Sequence, residues 1–261
     1  MRSHIVRPER SHTAVGGRGQ PTFAVTPANR YKPSRQIQRM PGSRFVVWAA
    51  QFAPSRLDGM ATEVSRAAYS RRAREYIDLL GSMSSVHPSD LQIVSTWASN
   101  VDGDLIDAGC GPGHWTNFLT QQGLTARGID QVPEFITHAK ETFPTVDFAT
   151  GSLDSLEVGT DSVGGVLSWF SLIHHEPGAI QVPLCEFGRV LKPGGVLLVG
   201  FFEGPAVEKF AHAVTPAYRW PVDAFSAELG HAGFDVLESH VRKTADQRPQ
   251  AAVSARRRRP G

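Results

Sequence analysis

An aspartate and three alternating glycines stand together in the middle of the chain, in the order Asp107, Gly109, Gly111 and Gly113. Two apolar residues precede them and a helical pattern follows, so the segment predicts a strand, a glycine loop and a helix. Glycine lets the backbone turn sharply and lets a ligand approach where a Cβ atom would clash. The N-terminus of the following helix also offers unpaired N–H groups to an anion. We therefore expect a ligand site at this loop.

A second aspartate, Asp130, follows 23 residues after Asp107, at the end of the next predicted strand. A carboxylate there can accept hydrogen bonds from both hydroxyls of a ribose. The charge of Asp107 would repel a pyrophosphate but would suit an ammonium group. The G-x-G-x-x-G pattern of dinucleotide-binding folds is missing, because no count from the loop places a glycine at its sixth position. The expected ligand carries a ribose and a positively charged amine, without a diphosphate.

Two adjacent imidazoles, His174 and His175, follow the fourth predicted strand and are the nearest ones to the expected ligand site. Such a His could accept the proton of a hydroxyl or phenol during catalysis, or it could serve only in packing and hydrogen bonding. We expect at most one of the two to point into the site, and His174 is the candidate catalytic residue. No His or Cys cluster has the spacing of metal ligands, so no metal is predicted.

Aromatic residues supply further candidates. Tyr69, Arg72 and Tyr76 share one face of a predicted helix. That face either packs on the sheet or brings a tyrosine hydroxyl or the Arg72 guanidinium to a bound ligand. Trp169 and Phe170 stand at the end of the fourth predicted strand, where they either line an apolar substrate site or belong to the core.

Short apolar runs alternate with helical patterns along the last three quarters of the chain. The predicted strands cover residues 104–107, 125–130, 146–149, 163–168, 196–201, 234–240 and 251–255. The predicted helices cover residues 60–80, 114–122, 133–142, 181–191 and 222–232. A further helix is predicted to begin at residue 88, with Leu91, Val94 and Trp97 as its buried side chains. Residues 192–195, Lys-Pro-Gly-Gly, predict a turn. This alternation predicts an α/β fold with a doubly wound sheet and helices on both faces.

The motifs resemble, in their order and spacing, those of the class I S-adenosylmethionine-dependent methyltransferases of the bacterial small-molecule type, over residues 60–255. Residues 107–113 look like the first motif of this family, and residues 128–130 look like its second. Residues 151–154 resemble the adenine-binding turn, residues 168–174 the motif after strand four, and residues 186–195 the helix and turn before strand five. Many members place an Asp directly after Gly151, whereas here Asp154 stands two residues later.

The resemblance implies a Rossmann-like sheet of seven strands in the order 3-2-1-4-5-7-6, with strand seven antiparallel. It also implies S-adenosyl-L-methionine as the cosubstrate, with its methionine end at the glycine loop, its ribose at Asp130 and its adenine near residues 152 and 153. The cofactor-binding residues that the resemblance implies are Tyr69, Asp107, Gly109, Cys110, Gly111, Gly113, Asp130, Gln131, Ser152, Leu153 and Ser168.

The activity that the resemblance implies is methyl transfer to a small-molecule acceptor by in-line displacement. Base-methylating members carry Asn/Asp-Pro-Pro-aromatic after strand four, and this chain has Ser-Trp-Phe-Ser at residues 168–171, which disfavours a nucleic-acid substrate. Two alternatives stay open. One is a non-catalytic S-adenosylmethionine-binding protein, and the other is an NAD-dependent oxidoreductase, which the missing dinucleotide motif opposes.

Charge divides the chain into a basic N-terminal extension and an acidic remainder. Residues 1–59 hold ten Lys and Arg against two acidic residues, whereas the rest holds 17 against 23. The Pro-rich residues 1–59 predict a disordered extension, residues 60–255 a methyltransferase domain, and residues 256–261 a basic tail. No apolar run reaches the roughly 18 residues of a membrane helix. Two cysteines favour a reducing, cytoplasmic location, and the oligomeric state does not follow from the sequence.

Overall fold

Helices and strands alternate through most of the chain in the computed structural model, which describes residues 56–245 and 247–259. The described helices are α1 (Arg56–Arg71), α2 (Ala73–Leu80), α3 (Pro88–Ala98), α4 (His114–Gln121), α5 (Pro133–Thr142), α6 (Gln181–Val190) and α7 (Val222–His231). The described strands are β1 (Leu105–Ala108), β2 (Ala126–Asp130), β3 (Asp147–Thr150), β4 (Val163–Trp169), β5 (Leu191–Glu203), β6 (Glu208–Phe210), β7 (Ala217–Trp220), β8 (Phe234–Thr244) and β9 (Gln247–Arg257).

One sheet joins the described strands, with the central order β3-β2-β1-β4-β5-β9-β8. Strands β3, β2, β1, β4 and β5 run parallel to one another. Strand β9 is antiparallel to both of its neighbours, β5 and β8. The predicted order is therefore confirmed, with β8 and β9 as the sixth and seventh strands of the expected sheet. The chain has an α/β fold of the Rossmann-like, doubly wound type.

A short hairpin, β6 and β7, was not predicted from the sequence. Strand β7 pairs parallel with the end of β5, where Phe202 and Glu203 face Arg219 and Trp220. Strand β6 then pairs antiparallel with β7. Strands of three and four residues are too short for their alternation to be read from the sequence. The hairpin extends the sheet beyond the carboxyl end of β5, on the side where ligands bind in this class of fold.

The helical pattern predicted over residues 60–80 is confirmed, except that the chain forms two helices that are separated at Arg72. The N–H of Arg72 donates to the carbonyl of Tyr69 over 3.0 Å, which is a tighter turn than the α-helix makes. No Gly or Pro marks this break. Helix α1 also begins at Arg56, so residues 56–59, which we assigned to the N-terminal extension, are helical. The rest of the predicted extension lies outside the described residues.

The C-terminal strands are longer than predicted. Strand β9 runs to Arg257, so Arg256, which we assigned to a basic tail, pairs with Val196 and Asp235 inside the sheet. The predicted turn at residues 192–195 lies within β5 instead. Val163 of β4 pairs with Leu191 of β5, and Gly165 pairs with Val196. The step from one pair to the next is therefore two residues in β4 but five residues in β5, and the Pro-Gly-Gly segment forms a bulge. Gly194 has a φ of 88°, which accounts for the glycine there.

The sheet is buried on both faces. Leu184, Phe187 and Phe225 of α6 and α7 pack on one face with exposed fractions of at most 1%. Val94 and Trp97 of α3 lie in a second apolar cluster with residues of α4 and the sheet. Leu91, which we expected beside them, is 37% exposed. Burying each large apolar side chain contributes about 1.5–3 kcal/mol. None of the described helices combines the length and the apolar character that crossing a membrane requires.

Candidate active site

A cleft lies at the carboxyl ends of the parallel strands, where the glycine loop, the end of β2 and the segment after β4 meet. It holds about 760 Å³ of empty space, part of which is continuous with solvent. The predicted site residues that line it are Tyr69, Gly109, Gly111, Asp130, Gln131, Ser152, Leu153 and His174. The predicted residues Asp107, Cys110, Gly113 and Ser168 are not among its described lining residues.

The local structure requires glycine at the three loop positions for different reasons. All three adopt left-handed backbone angles, with φ of 82° at Gly109, 54° at Gly111 and 87° at Gly113. A Cβ atom on Gly109 would come within 2.2 Å of Cβ of Ser171, so this position permits close packing between two loops. Around Gly111 the nearest atom to such a Cβ is on Tyr76, at 4.0 Å. The backbone of Gly111 is therefore open toward the cleft, as a ligand-binding position requires.

Asp130 closes the loop from the end of β2. One carboxylate oxygen accepts from the N–H of Gly111 over 2.9 Å, and the other accepts from the N–H of Val132 over 2.8 Å. Burial raises the pKa of Asp130 to about 6, against the lowering effect of these backbone N–H groups. Each oxygen keeps a second lone pair. Asp130 can therefore accept hydrogen bonds from a vicinal diol while it holds the glycine loop in place.

Asp107 lies deeper than we expected. Its carboxyl is only 1% exposed and accepts from the Thr116 hydroxyl over 2.6 Å. Burial raises its pKa to about 7, and the nearby charge of Asp130 adds to the rise. The Thr116 bond ties β1 to α4, so this side chain fixes the start of the helix behind the glycine loop. The interpretation of Asp107 as a fully charged partner facing a ligand ammonium group does not match this placement.

The remaining predicted residues outside the lining support the loop from behind. Cys110 packs its side chain into an apolar cluster with residues of α5 and β3. A Cβ atom on Gly113 would lie 2.8 Å from Ala139, so this glycine allows close packing against α5. The hydroxyl of Ser168 lies 2.7 Å from that of Ser171, which in turn donates to the carbonyl of Ala108. This pair joins the end of β4 to the end of β1.

His174 has a defined hydrogen-bonding state. Its Nδ1 lies 2.9 Å from the carbonyl oxygen of Pro216, and its Nε2 lies 2.9 Å from the hydroxyl of Tyr69. A carbonyl oxygen only accepts, so Nδ1 carries the proton and Nε2 accepts from Tyr69. Burial lowers the pKa of His174 to about 4, although its bond to Pro216 works in the opposite direction. The imidazole is therefore neutral at physiological pH, with the lone pair of Nε2 on the side of Tyr69.

His175 also lines the cleft, so the expectation that only one of the two imidazoles reaches it is wrong. Its Nε2 lies 3.0 Å from a carboxylate oxygen of Asp154. The N–H of Asp154 donates to the hydroxyl of Ser152, which closes the turn after β3. Adjacent imidazoles point to different partners here because each is held by a different segment. Asp154 reaches the cleft, although it stands two residues later than in the common pattern.

The aromatic candidates line the cleft, whereas Arg72 does not. Tyr69, Tyr76, Trp169 and Phe170 line the cleft, and each is only half-buried. Arg72 instead pairs with Glu75 and donates to the carbonyl of Ala213, so it is not a lining residue. Sequence reasoning missed further residues of the lining, which are Ser65, Val132, Phe135 and Ser171. Helical spacing could have found Ser65, which lies four residues before Tyr69 on the same helix.

Comparisons with known proteins find similarity to methyltransferases. A protein-family profile described as a methyltransferase domain matches residues 105–195. An uncharacterised methyltransferase of Synechocystis is 26% identical over 148 residues, which cover 52% of this chain and 69% of that protein. A ubiquinone biosynthesis O-methyltransferase of Xylella fastidiosa is 29% identical over 122 residues, which cover 45% of this chain and 49% of that protein. The match thus spans about half the length of the latter relative.

A solved structure extends the likeness to the fold. The 1,6-didemethyltoxoflavin-N1-methyltransferase of Burkholderia thailandensis, with bound 1,6-didemethyltoxoflavin and S-adenosylhomocysteine, aligns with a TM-score of 0.66 and 20% identity. The alignment covers 79% of this chain and 93% of that one. The matched profile begins at β1 and includes the glycine loop, Asp130 and the segment after β4 that together form the cleft. Residues 105–195 of this chain are thus similar to a methyltransferase domain, and its fold is similar to that of a solved methyltransferase.

Proposed function

We propose that this protein transfers the methyl group of S-adenosyl-L-methionine to a small-molecule acceptor. The observation that carries the proposal is the open backbone of Gly111 beside the carboxylate of Asp130, with the neutral imidazole of His174 lining the same cleft. A carboxylate that can accept from a diol and an open backbone turn suit binding of this cosubstrate. A neutral imidazole suits methyl transfer to an acceptor that has to lose a proton.

The residues present fit the cosubstrate. A side chain at position 111 would enter the open space of the cleft, which leaves room for the methionine end against the loop backbone. Asp130 would accept from the two ribose hydroxyls, with Gln131 beside it. Ser152, Leu153 and Asp154 would surround the adenine at the turn after β3. These assignments are proposals that follow from placement in one cleft.

The cosubstrate supplies a sulfonium methyl group, which is already activated for displacement. The protein therefore has to align the acceptor, exclude water and receive a proton. The bond from carbon to sulfur breaks and its electron pair goes to sulfur, while the acceptor atom forms the new bond to carbon. The proton of the acceptor becomes more acidic as that bond forms. Because His174 is neutral, it can take this proton at Nε2 in place of the hydrogen bond from Tyr69 and release it to solvent.

A small molecule suits the cleft better than a nucleic acid. Within the part of the chain that the structure describes, no Lys or Arg lines the cleft. Phosphate contacts from such residues dominate the affinity of nucleic-acid enzymes. Two of the proteins named above have names that refer to small molecules, the ubiquinone biosynthesis O-methyltransferase and the 1,6-didemethyltoxoflavin-N1-methyltransferase, which supports the same class.

Two measurements test the proposal. Calorimetry with S-adenosylhomocysteine should show binding to the purified protein, and NAD should not compete. Incubation of a host metabolite extract with S-adenosylmethionine that carries a deuterated methyl group should then yield a product with a shifted mass. Binding without any labelled product would favour the alternative of a non-catalytic binding protein. Failure to bind S-adenosylhomocysteine would overturn the proposal as a whole.

A further inference from the structure

The side of the cleft next to β4 is aromatic. Trp169 ends β4, Phe170 follows it, and both line the cleft. Their rings meet edge to face at 5.5 Å, and Phe170 meets Phe202 in the same way at 5.2 Å. Phe170 has a φ of 57°, in the left-handed region that non-glycine residues rarely adopt. Its N–H donates to the carbonyl of Gly200 over 3.0 Å, which holds the ring in this position.

Backbone strain of this kind is found mainly at ligand sites, where the surrounding structure maintains it. Phe170 has one side packed on neighbouring rings and keeps part of its surface toward the cleft. The strained backbone therefore presents an apolar ring to whatever occupies the cleft.

A second aromatic group lines the same cleft from other elements. Tyr69, Tyr76 and Phe135 come from α1, α2 and α5, with ring centroids 5.3 to 6.1 Å apart. The ring of His174 lies 5.4 Å from that of Tyr69 and continues this surface toward the segment after β4. Flat side chains on separate elements thus surround one space. Aromatic rings favour stacked or edge-to-face contacts with other rings at about 4.5–7 Å.

The charges of the cleft restrict its occupant further. Among the described residues, the ionisable lining groups are the carboxylates of Asp130 and Asp154, the imidazoles of His174 and His175, and the phenols of Tyr69 and Tyr76, whose pKa values are raised by burial so that they stay neutral. His174 is neutral, with a pKa lowered to about 4, and His175 is already bonded to Asp154. An anionic acceptor would lose its hydration here without gaining a Lys or Arg from the described lining.

We propose that the methyl acceptor is a flat aromatic or heteroaromatic molecule without net negative charge. It lies against Phe170 and presents a ring O–H or N–H group to Nε2 of His174, where it replaces the hydroxyl of Tyr69. Nε2 is the accepting nitrogen because Nδ1 donates to the carbonyl of Pro216. This inference rests on the proposed methyltransferase function and names the class of its second substrate.

Matched pairs of probes test the inference on protein that is saturated with S-adenosylhomocysteine. Catechol and trans-cyclohexane-1,2-diol share size and hydroxyls but differ in aromaticity. The amide and the carboxylate of 3,4-dihydroxybenzoic acid share the ring but differ in charge. Titration calorimetry or ligand-observed NMR should show catechol binding about tenfold tighter than the cyclic diol, and the amide about tenfold tighter than the carboxylate. Equal affinities, reversed order or no detectable aromatic binding would overturn the inference.

A pair of variants locates the preference. Phe170→Leu should bring the affinities of catechol and the cyclic diol within about threefold of each other. Phe143→Leu, an aromatic position at the end of α5 that is not among the lining residues, should keep the wild-type preference. Circular dichroism reports whether each variant is folded, and if Phe170→Leu is not, the wild-type probe pairs decide alone. Loss of S-adenosylhomocysteine binding by the wild type would refute the proposed function, whereas intact binding without aromatic preference would refute only this inference.

Discussion

The hydroxyl of Tyr69 donates to Nε2 of His174 over 2.9 Å, although 105 residues separate the two in sequence. The bond joins the first described helix to the segment after β4. The carbonyl of Pro216, in the loop between β6 and β7, holds the opposite nitrogen of the same ring. Three distant segments therefore fix one imidazole in one tautomer. An acceptor that donates to Nε2 takes the place of the tyrosine hydroxyl, so ligand entry and helix α1 are coupled at this atom.

His174→Ala should lower the turnover number for an acceptor with an O–H group about a hundredfold, because the proton then has no receiving group. The affinity for S-adenosylhomocysteine should change by less than about twofold, since the cosubstrate is assigned to other residues. Steady-state kinetics with labelled S-adenosylmethionine and calorimetry measure the two quantities. His231→Ala, an exposed imidazole on α7, is the matched control. A His174→Ala variant with full turnover would remove this residue from the mechanism.

Asp130→Asn should weaken S-adenosylhomocysteine binding at least about tenfold, which corresponds to about 1.4 kcal/mol. The amide keeps one acceptor oxygen but loses the charge and the second acceptor that the two ribose hydroxyls use. Asp147→Asn, at an exposed position on β3, should bind as the wild type does. Calorimetry at pH 7.5 compares the three proteins, and equal affinity of Asp130→Asn would contradict the assigned role.

The pKa of Asp130 predicts how the affinity for S-adenosylhomocysteine depends on pH. Because the pKa of Asp130 is raised to about 6, the ionised form that accepts from a diol is lost as the pH falls through that value. Affinity of the wild type for S-adenosylhomocysteine should therefore decrease between pH 7 and pH 5, approaching about tenfold per pH unit well below the pKa. Asp130→Asn should show a flat profile over this range. A wild-type affinity that does not change with pH would show that the carboxylate is not titrating in the site.

Two variants of the glycine loop should distinguish an effect on the stability of the protein from an effect on S-adenosylhomocysteine binding. Gly109→Ala places a Cβ atom 2.2 Å from Ser171 and should lower the melting temperature strongly. Gly111→Ala meets only Tyr76, at 4.0 Å, so its cost is the backbone strain of about 1–2 kcal/mol at a positive φ. It should nevertheless lose most of its S-adenosylhomocysteine affinity, because the new methyl group enters the cleft. Thermal unfolding together with calorimetry distinguishes the two effects, and a Gly111→Ala variant with wild-type affinity would exclude the loop backbone from the site.

Local signals were sufficient to predict the strands of the central sheet and the glycine loop, whereas the strand order followed from the family resemblance. Apolar runs such as Val196–Phe201 identify buried strands, and alternating glycines identify the loop. The depth of Asp107 was not accessible, because it depends on Thr116 of α4 lying across the strand. The partner of His174, Pro216, lies in a hairpin loop that no local periodicity predicts. Contacts between segments distant in sequence therefore account for these two misses.

Asp107→Asn should stabilise the protein at alkaline pH and have little effect at acidic pH. Burial raises the pKa of Asp107 in the folded protein to about 7, above the ordinary value of 3.8 that applies when the chain is unfolded. Between these values the folded state holds a proton that the unfolded state has lost, so the free energy of unfolding falls as the pH rises, by about 1.4 kcal/mol per unit. An amide cannot ionise, and its oxygen can still accept from Thr116.

Thermal unfolding at pH 8 should therefore give Asp107→Asn a melting temperature at least about 2 °C above that of the wild type, and this advantage should shrink below pH 5. Asp78→Asn, at an exposed position on α2, should leave the melting temperature unchanged at both pH values. A variant that is destabilised equally at pH 5 and pH 8 would mean that the carboxyl is needed for its geometry at every pH. In that case the charge of Asp107 would not be the source of the alkaline instability.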